Sequence, residues 1–187
     1  MKNLRAIALA AFPLAVLAVP AAADAVQPSA KRVCGRYSSF TLLPTDKVRP
    51  MGAGHSSVSM LVSGARGNWI YYDGLIDEGE AEKAGTLVYN EGGVRAYRRS
   101  NTAKAYVLVS DKAARVDGKV PFVTISGVEF NMADLENSAI KGTNADLALL
   151  PLIQPGVTTS CHIRWKPGTG LVDGENDVDT GRPTPSE

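Results

Sequence analysis

The chain predicts a mainly β fold: a single small β-sandwich or β-barrel domain with one or two short helices near residues 132–150. Three observations predict it. Glycine and other turn formers punctuate the chain about every eight to twelve positions. The runs between them are short and rich in Val, Ile, Tyr, Thr and Phe, residues that suit a pleated, half-buried surface. Once a leader is set aside, roughly 160 residues remain, enough for one domain to bury its own core.

The leader occupies residues 1–25. Lys2 and Arg5 form a basic front, an apolar run extends from Ala6 to Val19, and the small-residue segment Ala21-Ala22-Ala23-Asp24-Ala25 follows. That order is the pattern of a secretory signal peptide, with cleavage expected after Ala23 or Ala25. The apolar run is short and interrupted by Pro13, so no stable membrane span is expected once the leader is gone. The expected location is periplasmic, or secreted.

Strands are expected at 58–63 ("VSMLVS"), 68–73 ("NWIYYD"), 85–90 ("GTLVYN"), 93–99 ("GVRAYRR"), 104–110 ("KAYVLVS"), 121–130 ("PFVTISGVEF") and 157–165 ("VTTSCHIRW"). The links "YNEGGV" and "RSNTAK" have the composition of hairpin turns. A helix is predicted over 132–141, with Asn131 as its N-cap, Asp134 in its first turn and Gly142 as its stop. A second, shorter one is placed at 144–150.

The domain is drawn at 26–170, and residues 171–187 are expected to form a disordered acidic tail. Residues 26–172 hold 17 Lys/Arg against 13 Asp/Glu, whereas the last fifteen residues hold five acids and one base, Arg182. An EF-hand loop begun at Asp173 would need glycine at its sixth position and glutamate at its twelfth. Val178 and Thr184 stand there, which excludes it. With the charges this close to balance, no nucleic-acid partner is expected.

The chain has two cysteines. In an exported protein the expectation is a disulfide, Cys34 to Cys161, fastening the start of the domain to its end. The catalytic alternative is a periplasmic hydrolase or cell-wall enzyme using Cys161 with His55. His162 does not serve, because neighbouring side chains of a strand point to opposite faces. "SCHIR" is similar to the Ser-His-Gly-Cys-x-Arg motif of L,D-transpeptidases, but it lacks the glycine and places histidine after the cysteine. The two histidines and two cysteines have none of the usual zinc spacings, so neither a metal nor a cofactor is expected. Gly67-Asn68-Trp69 is similar to the Gly-x-Trp that opens the first strand of lipocalins. That likeness covers three residues, and no family is assigned on it.

The candidate binding residues lie on the hairpin 94–109. With a turn centred on Asn101-Thr102, Arg99 would pair with Lys104 and Tyr97 with Tyr106. Arg95, Tyr97, Arg99, Lys104 and Tyr106 would then share one face, a basic-aromatic surface suited to an envelope anion or a protein partner. The acidic run 73–85 is expected to be a solvated connector. No nucleophile elbow, phosphate loop or HExxH is present. The sequence therefore points to an exported binding or accessory domain of the bacterial envelope without catalysis of its own.

Overall fold

The computed structural model describes residues 29–83, 85–99, 105–129 and 141–174. Two unequal sheets pack face to face. The larger contains β3 (Lys47–Gly54), β4 (Ser57–Gly64), β5 (Gly67–Ile76), β6 (Gly85–Glu91), β7 (Val94–Arg99), β8 (Ala105–Ser110) and β9 (Val120–Glu129) in the order β3-β4-β5-β9-β8-β7-β6, with β10 (Lys141–Thr143) paired to β9. The smaller joins β1 (Lys31–Cys34), β2 (Ser39–Leu42), β11 (Ile153–Gln154), β12 (Ile163–Lys166) and β13 (Gly170–Asp173) in the order β11-β2-β1-β12-β13. All pairings are antiparallel except β1 with β12, where Val33 stands beside Ile163 and Cys34 beside Arg164.

The mainly β expectation holds, and the alternation of side chains explains the layers. Trp69 and Tyr71 on β5, Met60 and Val62 on β4, Tyr106 and Leu108 on β8, and Val123 and Ile125 on β9 face the small sheet. They meet Val33, Phe40, Leu42, Ile153 and Trp165 there. Phe40 is the central contact, with its ring 5.3 Å from Trp69 and 4.7 Å from Tyr71. Such aromatic pairs add about 0.5–1.5 kcal/mol each beyond the area they bury. Trp69 and Tyr71 of "NWIYYD" therefore build core on this face, whereas Tyr72 is exposed on the other, its ring 5.7 Å from Phe122. A second, smaller core of Ala81, Tyr97, Val107, Val109 and Phe122 lies on the opposite face of the large sheet. The short helix α1 (Glu80–Lys83) covers part of it through the buried Ala81.

Several boundaries differ from expectation, each for a physical reason. The strand expected at 157–165 is reduced to Ile163–Lys166. Ser160 takes a left-handed backbone, φ 56°, which breaks extended structure just before Cys161. β3 was missed because its side chains are almost all exposed and it contains Pro50 and a bulge after it. Proline and bulges are how an edge strand avoids pairing with another chain. The acidic connector holds the turn of helix α1. Leu147–Leu152 forms a 3-10 helix, with Asp146 accepting from the Ala148 N–H as its cap, near the second helix expected. The helix expected at 132–141 lies outside the described residues apart from Lys141, which begins β10. β13 occupies part of the segment assigned to the tail. The leader and the rest of the tail lie outside the described residues.

The hairpin between β6 and β7 turns on Gly92 and Gly93, both at positive φ, as a two-residue hairpin requires. The next hairpin departs from the expected register by one residue. Tyr97 pairs with Val107 and Arg98 with Tyr106. A connection with an odd number of residues sends the second strand's side chains to the opposite face.

Candidate functional site

The one-residue shift divides the expected basic-aromatic face. Tyr97 lies in the small outer core and Tyr106 in the main core between the sheets. Arg99 is exposed, and Lys104 lies outside the described residues. Arg95 is occupied within the protein. Its Nη1 donates to Glu82 Oε1 at 2.7 Å and to Tyr97 Oη at 2.9 Å, and its Nη2 donates to Asp111 Oδ1 at 2.7 Å. Arg115 is similarly held by Glu78 at 2.6 Å. These groups rim a cleft of about 160 Å³ whose floor is Ile76, Ala81, Val109 and Val120. An arginine between two carboxylates has little charge left to attract an anion. The grouping instead ties α1 to β7 and to the end of β8.

The cysteines are joined. Cys34 and Cys161 form a disulfide with Cα atoms 5.7 Å apart across a separation of 127 residues. Cys161 therefore has no thiol for His55 to ionise, which removes the basis of the cysteine-hydrolase alternative. His162 is also in use, since its Nδ1 accepts the Arg32 N–H and its own N–H donates to the Arg32 carbonyl. Among the described residues, no group of three or more His, Cys, Asp or Glu side chains is placed to hold a metal ion.

The distribution of charge is the feature that sequence inspection did not anticipate. Residues 29–66 and 147–174 contain eight Lys/Arg, namely positions 31, 32, 36, 47, 49, 66, 164 and 166, but only two acids, Asp46 and Asp173. These segments form the whole small sheet and the β3–β4 hairpin. The other described residues hold eight bases and ten acids, and all the ion pairs found among the described residues lie there. Of the ten acids in those other segments, Asp77, Glu78, Glu80 and Glu82 lie on or beside α1. Linear composition hides this division, because the basic half is assembled from the two ends of the chain.

Within that half, three turns converge at one end of the sandwich. Arg36 comes from the β1–β2 turn, Ala53, Gly54 and His55 from the β3–β4 hairpin, and Trp165, Pro167 and Gly168 from the end of β12 and its turn to β13. They enclose an open cleft of about 500 Å³. Arg36 stacks over Tyr37 with 5.6 Å to the ring centroid, and its Nε donates to Tyr37 Oη at 3.1 Å. Arg36 is exposed. No carboxylate of the described residues lines the cleft.

A buried carboxylate positions the turn that carries Arg36. Asp73 Oδ2 accepts the Tyr37 N–H at 2.9 Å and the Ser38 N–H at 3.1 Å. A Cβ at Gly35 would overlap that same oxygen, so only glycine fits there. Asp73 is fully buried. Burial pushes its carboxyl up to about 6, against the opposing pull of the Tyr37, Ser38 and Arg36 N–H groups. Tyr71, two residues before it on the same face, is raised well above the ordinary phenol value by burial and then by the charge of Asp73. Its hydroxyl has no partner in hydrogen-bond geometry. The period-two rule signals this site: Asp73 follows Trp69 and Tyr71 at every second position, which places it on the buried face.

Comparison of the chain with protein-family models, with curated proteins and with solved structures found no match.

Proposed function

We propose that the protein is an exported binding domain of the bacterial envelope that engages an anionic partner through its basic half and has no catalytic turnover of its own. The segregation of charge carries this reading. A surface on which Lys and Arg outnumber Asp and Glu, as they do eight to two in these described segments, creates a positive potential that attracts and orients polyanions. Export rests on the leader at residues 1–25, and the disulfide agrees with it, because such bonds persist in oxidising compartments. With both cysteines in that bond, the binding reading stands ahead of the thiol-dependent one.

Fluorescently labelled dextran sulfate is the probe. Anisotropy titration is expected to show binding that weakens steeply as salt is raised, because exposed charges are screened over about 10 Å at 0.1 M salt. Alanine at Lys31, Lys47 and Arg49 together removes three exposed bases that make no ion pair among the described residues. The triple variant is expected to lose at least fivefold in affinity. Alanine at Arg95 and Arg99 is expected to leave affinity unchanged. Absence of binding, or loss confined to the Arg95 and Arg99 variant, would overturn the proposal.

A further inference from the structure

We infer that the cleft between Arg36, His55 and Trp165 is a subsite for one anionic sugar unit, a pyranose bearing a carboxylate or a phosphate. The inference rests on the anion-binding reading above and assigns it a place and a ligand class.

The chemistry follows from what lines the cleft and what is missing from it. Arg36 provides a planar cation whose terminal nitrogens have no hydrogen bond shown among the described residues, the geometry that suits carboxylate and phosphate oxygens. His55 lies on the opposite lip, exposed and without a side-chain partner among the described residues. It offers a second polar group directed at the same space. Among the described residues, no carboxylate lines the cleft to compete for the anion. The remaining walls are Ala53, Gly54, Pro167, Gly168 and one side of Trp165. Small residues and glycines let a ring approach the backbone closely. Pro167 provides apolar surface for the C–H face of a sugar, beside the small exposed part of the largely buried Trp165. No Leu, Ile, Val or Phe lines the cleft, so an acyl chain has nothing to pack against. The cleft is shallow and open, with about 500 Å³ of space, enough to seat a single ring against one wall.

The support beneath the cleft is built for positioning. Gly35, Asp73 and the two N–H groups it accepts fix the turn bearing Arg36. Held side chains lose less entropy on binding. Two other cavities among the described residues lack this combination. The 160 Å³ cleft at Arg95 is neutralised internally. The groove of about 460 Å³ beside Tyr89 and Ile153 has mixed lining and no free arginine.

The test is an NMR titration of the full exported chain with glucose 6-phosphate, glucuronate, glucose and inorganic phosphate. The chain has two tryptophans and two histidines. Trp69 in the core and His162, bonded to Arg32 of β1, are therefore internal controls for Trp165 and His55. Glucose 6-phosphate, glucuronate or both are expected to shift the His55 and Trp165 signals saturably. Glucose and inorganic phosphate should each bind at least tenfold more weakly. Arg36→Gln and, separately, His55→Gln should weaken the sugar-acid response at least fivefold while leaving the Trp69 signal in place. Of the two sugar acids, the tighter tells whether the natural group is a phosphate or a carboxylate.

Equal response to glucose, equal response to phosphate alone, or an unchanged response in both variants overturns the inference. Dextran sulfate, titrated into the same samples, separates this outcome from failure of the broader reading. Polyanion binding with an unmoved His55 removes the subsite and leaves the basic half. Sugar-acid binding without polyanion binding keeps the subsite and removes the extended face.

Discussion

The buried carboxylate gives a prediction whose sign and size follow from the structure. Asp73 is held without solvent contact, and its carboxyl is raised from 3.8 to about 6 by burial. Each pKa unit corresponds to about 1.4 kcal/mol of differential stability, so a shift of about two units is worth about 3 kcal/mol. Because the folded value is raised, the sign opposes that of a salt-bridged aspartate. Below the unfolded value the carboxyl is protonated in both states and nothing is lost. As pH rises from about 4 to about 6 the unfolded chain ionises first, and the folded state loses stability. Above that window the full cost is in force.

Asp73→Asn removes the ionisation while keeping the shape. Both N–H donors fall on Oδ2, and Oδ1 has no partner, so an amide oxygen in the Oδ2 position retains both bonds. The stability of the Asn variant relative to wild type is expected to rise by about 3 kcal/mol between pH 3.5 and pH 7. Urea unfolding with the disulfide intact, followed by tryptophan fluorescence, measures it. At about 1–3 kcal/mol per molar urea, the change is about 1–3 M in relative midpoint. Profiles that stay parallel across this range would show that Asp73 ionises as freely folded as unfolded, refuting its assignment as a buried carboxylate beneath the turn.

Two further outcomes follow from the same structure. Replacing Cys34 and Cys161 together by serine is expected to lower stability by up to about 5 kcal/mol, the loop-closure value for so long a separation. In the wild-type protein, alkylation under denaturing, non-reducing conditions should label no thiol until reductant is added, and immediate labelling would refute the bond. Arg95→Ala leaves Glu82 and Asp111 without their shared partner and is expected to cost about 1 kcal/mol, the upper range for partly exposed pairs. Arg99→Ala should stay within about 0.5 kcal/mol, and equal effects from the two would mean that the Arg95 grouping holds nothing together.

Much of the fold was legible in local pattern. The strands with one or both faces buried, from "VSMLVS" to "PFVTISGVEF", announce themselves by β-branched and aromatic residues. The Gly92-Gly93 hairpin does so because positive φ demands glycine. Two cysteines and a leader were enough to expect the Cys34–Cys161 bond, since neither had another partner. β3 was not legible, because an exposed edge strand carries no burial pattern.

The candidate site was much less so. Its residues lie at 36, 53–55 and 165–168, brought together only when β1 pairs with β12 and the β3–β4 hairpin folds over the same end. The hairpin at 94–109 shows the converse. All the basic and aromatic residue types were visible, but one residue of register decided that Tyr97 and Tyr106 face apart and that Arg95 meets Glu82 and Asp111.

Local sequence therefore determines which segments are strands, where turns need glycine and which sulfurs pair. Tertiary structure alone decides which charges neutralise one another. Coulomb interactions depend on distance in space, and the fold is what brings Arg95 to Glu82 and Asp111 and Arg115 to Glu78.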